Sequence, residues 1–76
     1  YRNQIRSIIQ KIISEAMPRV QVEAFLQDQA RGLPETDRDR LIEVVETELL
    51  SLHEGNFARS LVRPSAFRKW QEEWKH

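Results

Sequence analysis

The stretch LHEGNFARSLVRP, residues 52–64, concentrates the side chains that could do chemistry. His53, Glu54, Arg59, Ser60 and Arg63 fall within it, with Ser51 just before it. A histidine held against a serine hydroxyl, and oriented by a third group, would suit nucleophilic catalysis. Nothing in the spacing marks either serine as activated in this way. A phosphate cradle needs several glycines ahead of a helix N-terminus, usually followed by Lys-Ser/Thr. Here there is one glycine, Gly55, and it follows a segment that reads as the end of a helix, where the dipole is negative. The stretch therefore reads as a helix stop and a connection. Gly55 or Asn56 takes the left-handed conformation, His53 helps satisfy the last carbonyls, and Phe57 and Leu61 fold back on the core.

Glu54-Gly55-Asn56 resembles, over three residues, the active loop of Fic-type AMP-transferases. That family has a histidine four residues before the acid and an arginine two after the asparagine. Leu50 and Ala58 occupy those positions here, and Arg59 comes one residue late. The departure removes both working groups, so the resemblance implies no activity.

Asp37, Asp39, Glu43 and Glu46 could bind a cation by spacing, but no loop with alternating ligands and glycine accompanies them. They read as a solvated face, and no metal or other cofactor is expected. Arg59, Arg63, Arg68 and Lys69 form a basic set around a helix start, as a nucleic-acid reader would present them. Glu72 and Glu73 on the same helix and a sequence pI near 7.0 weaken that footprint. Phe67, Trp70 and Trp74 fall at i, i+3 and i+7, an aromatic stripe. Such a stripe either roofs a small core or, with Arg68 at its rim, anchors a protein partner. Leu50 is the second apolar candidate, a bulky residue on an acidic helix face. If the last helix crosses that face, Leu50 is covered; otherwise it marks a dimer seam or a docking surface.

The elements that position these groups follow from composition and periodicity. Seventy-six residues make one domain, 1–76, with a thin core that gains from good packing or a partner. There is no cysteine, which excludes a disulfide framework and leans toward a reducing, cytoplasmic setting. No run approaches the roughly 18 apolar residues of a membrane span. The chain opens on Tyr1, so it reads as a fragment of something longer. Twelve basic residues balance twelve acidic ones, which argues against a generic polyanion binder. The balance is uneven along the chain: +2 over residues 1–33, −5 over 34–56 and +3 over 57–76. The acidic middle could attract the basic tail, within the domain or between copies.

Apolar positions at i, i+3, i+4, i+7 predict helices over about 2–17, 19–31, 37–54 and 65–75. Ile5, Ile8, Ile9, Ile12, Ile13 and Ala16 line the first. Val22, Phe25, Leu26 and Ala30 line the second, with Gly32 as its C-terminal cap. The alternation of Val20 and Val22 leaves a short strand as the alternative there. Leu41, Ile42, Val45, Leu49 and Leu52 line the third. Thr36 with Asp39 suggests a capping box for the third helix, and Ser65 an N-cap for the fourth. Pro18 either ends the first helix or opens the second.

The expected fold is all-α: a small bundle of three main helices plus a short aromatic C-terminal helix. The expected function is a non-enzymatic protein–protein interaction or oligomerisation module, with helix 1 a candidate dimer contact. Its contact residues are Phe67, Arg68, Trp70, Trp74 and Leu50. The alternative is a small DNA- or RNA-binding accessory domain using Arg59, Arg63, Arg68 and Lys69. A small-molecule substrate is not expected, because so short a chain offers little volume for a water-excluding cleft around paired carboxylates.

Overall fold

The computed structural model describes residues 2–54 and 62–75. These form α1 (Arg2–Ser14), α2 (Arg19–Gln29), α3 (Glu35–His53) and α4 (Pro64–Trp74), with no strand among the described residues. The fold is all-α, as the periodicity predicts. Val20 and Val22 lie in α2, not in a strand; Val22 is buried and Val20 is 84% exposed. Expectations for Gly55, Asn56, Phe57, Arg59 and Leu61 lie outside the described residues. No helix among the described residues is long and apolar enough to cross a membrane.

The helix boundaries differ from the sequence expectation for local reasons. Each of the chain's three prolines stands at a helix start. Pro18 is the N-cap of α2, with φ −63° and ψ 154°, and its carbonyl accepts the Val22 N–H at 2.9 Å. Pro34 does the same for α3, accepting from Arg38 at 2.9 Å. Thr36 therefore lies inside the helix, and no side-chain cap bond forms there. Glu35 and Asp37 in the first turn instead complement the positive end of the dipole. In α4, Pro64 is the first helical residue, where its missing N–H and fixed φ are tolerated. The residue before it, Arg63, is held extended and acts as the N-cap. Ser65 lies two residues past the N-cap, inside the helix.

At the end of α1 the helix stops at Ser14, three residues short of expectation. Ala16 has φ 49°. Its N–H bonds the Ile13 carbonyl at 3.0 Å, and the Met17 N–H bonds the Ile12 carbonyl at 3.0 Å. This is the Schellman pattern, which satisfies the last carbonyls and places an apolar residue just past the turn against the helix's last apolar positions. Met17 and Ile12 are accordingly both buried in one core. The α2–α3 turn uses glycine for the same purpose. Gly32 has φ 92°, and the Leu33 N–H bonds the Ala30 carbonyl at 3.1 Å.

Helix α1 packs against both α3 and α4, while α2 packs on α3. Four isoleucines of α1, Met17, Val22, Leu26, Ala30, Leu41, Val45, Leu49 and Leu52 meet in the core. Ile5, Phe25 and Ile42 are half-buried at its edge. The core contains no buried charged side chain among the described residues.

Alanine in the left-handed region carries a steric cost of about 1–2 kcal/mol that glycine avoids. Part of the gain from glycine is offset by the greater freedom it gives the unfolded chain. Ala16→Gly is therefore expected to stabilise the fold by about 0.5–1 kcal/mol, read as a higher urea midpoint at an unchanged slope. A lower midpoint would contradict the assigned turn.

Candidate functional site

The aromatic stripe faces inward. Phe67, Trp70 and Trp74 are buried, with Trp70 wholly so. Trp74 packs on Trp70 with ring centroids 4.9 Å apart, and Phe67 lies 5.7 Å from Trp70. The Trp74 Nε1–H donates to the Met17 carbonyl at 2.7 Å, a buried bond between residues 57 positions apart. Arg19 sets its guanidinium 4.9 Å from the centre of the Trp74 ring, within cation–π range. Of the two readings of the stripe, the structure shows the roof over a small core: the three aromatics hold α4 onto α1 and the α1–α2 turn. Trp70 Nε1 is buried with no hydrogen-bond partner among the described residues. An unpaired buried donor costs free energy, so the burial of its large ring must outweigh that penalty.

His53 has a different role from the one expected. Its Nε2 lies 3.2 Å from the Gln71 carbonyl, and Gln71 Nε2 donates to the His53 carbonyl at 3.3 Å. A carbonyl only accepts, so the first bond requires the proton on Nε2. The imidazole also meets Trp70 edge-on, with centroids 5.5 Å apart at 84°. Thus the carbonyl of the last residue of α3 is satisfied by a side chain of α4. His53 thus joins two helices, α3 and α4. Gln71 escaped the sequence reading because a glutamine beside an aromatic stripe looks like a solvated residue. The one available hint was its position next to Trp70.

Leu50 remains uncovered at 48% exposure. Helix α4 lies mainly along α1 and does not cross the outer face of α3. A groove of about 250 Å³ opens beside Leu50, lined by Arg19, Val22, Glu23, Glu46, Leu50 and Trp74. Val22 and Trp74 are its buried apolar wall; Arg19, Glu23 and Glu46 are exposed at its rim. Farther along α3, Val44 is 37% exposed and joins Ile5 and Leu41 in a smaller cleft of about 130 Å³.

Arg68 is exposed on α4 and does not line the Leu50 groove. Of the basic set, Arg63 and Lys69 share a cleft between α1 and α4 with Gln10, Ser14, Val62, Ser65 and Ala66. Arg59 lies outside the described residues. The ion pairs Lys11–Glu15, Arg31–Asp28 and Lys75–Glu72 are exposed and local, and so add little to stability. No cluster of three or more potential metal ligands occurs among the described residues.

Trp74→Phe keeps an aromatic ring but removes the donor to Met17 and leaves a buried carbonyl unpaired. The expected loss is roughly 1–3 kcal/mol of unfolding free energy. Chemical denaturation checks it, with helicity as the readout. An unchanged midpoint would mean that the 2.7 Å bond contributes nothing.

No family model, curated protein or solved structure matches this chain, so any function must be argued from the grooves and faces described above.

Proposed function

We propose that the chain is a non-enzymatic helical module for protein–protein interaction or self-association. The observation that supports this most directly is Leu50, a large apolar side chain 48% exposed beside a groove with an apolar wall and a charged rim. An apolar centre bordered by polar groups is the usual anatomy of a protein contact. The aromatic residues act from behind this surface. Trp74 walls the groove and holds Arg19 at its rim, while Phe67 and Trp70 fix the placement of α4. Arg68 is available as a separate, exposed contact on α4. The lack of cysteine favours a reducing setting, the cytoplasm.

A nucleic-acid-binding function is the second proposal, supported by the cleft that Arg63 and Lys69 share. Glu72 and Glu73 stand exposed on the same helix and oppose it. Phosphate contacts are strongest at low ionic strength. This alternative therefore requires measurable binding of mixed-sequence DNA or RNA at about 20 mM salt, weakened by Lys69→Glu. No binding under those conditions would eliminate it.

The interaction proposal is tested by quantitative affinity capture from extracts of the source cells, with wild type and Leu50→Asp as paired baits. Leu50 is half exposed, so the substitution is expected to leave the unfolding midpoint nearly unchanged. At least one retained protein, which includes further copies of the chain, should drop about tenfold or more with the variant. Identical retention by both baits would refute the assignment of Leu50.

A further inference from the structure

The groove beside Leu50 draws its lining from α2, α3 and Trp74. Its volume of about 250 Å³ is below the roughly 300–1,000 Å³ of a small-molecule pocket, so it suits a large side chain better than a cofactor. Glu23 of α2 and Glu46 of α3 stand exposed at its rim. Arg19 lies one turn before Glu23, but its guanidinium is held over the Trp74 ring. None of Arg19, Glu23 and Glu46 is in an ion pair among the described residues. Charge on α3 is sorted about the same line. At about 100° per residue, Asp39, Glu43, Glu46 and Glu54 all fall within about 40° of Leu50. All four are exposed. The two arginines of α3, Arg38 and Arg40, lie about 120° and 80° away from that line. Glu46 and Glu54 sit one turn before and one turn after Leu50, about 6 Å along the helix.

We propose that this groove binds a basic amphipathic helix of a partner protein. The helix seats one large apolar side chain against Leu50, Val22 and Trp74, and sets Lys or Arg one turn to either side of it, over Glu46 and Glu54. The inference rests on the interaction function proposed above and names the chemistry of the partner. Charge complementarity selects the occupant. An acidic segment would meet like charge at Glu23, Glu46, Glu43 and Asp39, and a neutral one would desolvate those carboxylates with nothing to pair them. The apolar wall supplies what charge alone lacks. Exposed carboxylates hold a cation only weakly, whereas an anchor buried in the groove fixes one register. A helix laid in a groove is read through apolar anchors one turn apart, with its charges at the edges. Opposite charges at a solvated rim are screened by salt, so the binding weakens as salt is added.

Selection from a random library of peptides about 16 residues long, with the whole chain as bait at about 0.05 M salt, tests this. Enriched peptides should carry a large apolar residue with Lys or Arg three or four positions to each side. The affinity of such a peptide should fall about tenfold or more with Leu50→Ser and with Glu46→Lys. It should also fall as salt is raised to about 0.5 M. Glu48 is exposed on α3 too, but about 160° around the helix from Leu50. Glu48→Lys makes the same charge change and should alter affinity about twofold or less. All three variants replace exposed residues, so their unfolding midpoints should stay close to wild type. No enrichment would overturn the proposal. So would an acidic or uncharged consensus, or equal losses with Glu46→Lys and Glu48→Lys, the mark of net charge alone. A mass that rises without peptide from 9.1 kDa toward twice that value, and not with Leu50→Ser, would give the groove to a second copy. Each of these results leaves the interaction function standing wherever affinity capture depends on Leu50.

Discussion

The hydrogen bond from Trp74 to the Met17 carbonyl is the constraint from which much of this small fold follows. It is buried, 2.7 Å long, and joins the last turn of the chain to the connection between α1 and α2. A carbonyl at that place is free to accept because α1 ends in a tight left-handed turn at Ala16, which carries Met17 inward. The same turn delivers Pro18 and Arg19, and Arg19 then packs over the Trp74 ring. One local feature of the first helix thus determines how the last helix docks.

Docking of α4 along α1 has a cost and a consequence. The cost is the indole nitrogen of Trp70, buried without a partner among the described residues. Its ring contacts with Phe67, Trp74 and His53, and full burial of its apolar area, must compensate. The consequence is that the outer face of α3 stays open. Among the described residues, α4 bonds the end of α3 through the reciprocal His53–Gln71 pair. Leu50 and Val44, which a longer or differently aimed α4 could have covered, remain at the surface. The surface that suggests a function is thus what remains after the core has used Phe67, Trp70 and Trp74.

Much of this was legible beforehand. The four apolar stripes predicted the four helices and nearly every core residue, because a helix of this size is stable only when one face is buried. Boundaries were less legible. Thr36 and Ser65 have the chemistry of caps, yet prolines beside them set the helix starts earlier. Ala16 hid the end of α1, since alanine is the best helix former and carries no signal of a left-handed turn, as a glycine would. The importance of Gln71 and the true partner of His53 depend on which helix ends meet, which periodicity does not encode.

By itself, the sequence determined the all-α class, the stripes that form the core, the acidic centre flanked by basic segments and the absence of thiol chemistry. These follow from local spacing and composition, which act through helix geometry within a few turns. Only the tertiary structure decided the direction of the aromatic stripe. An amphipathic helix gains as much from covering a core as from covering a partner, so spacing alone leaves the choice open. The left-handed turn at Ala16 and the carbonyl it presents to Trp74 direct the stripe inward, and Leu50 is left exposed on α3.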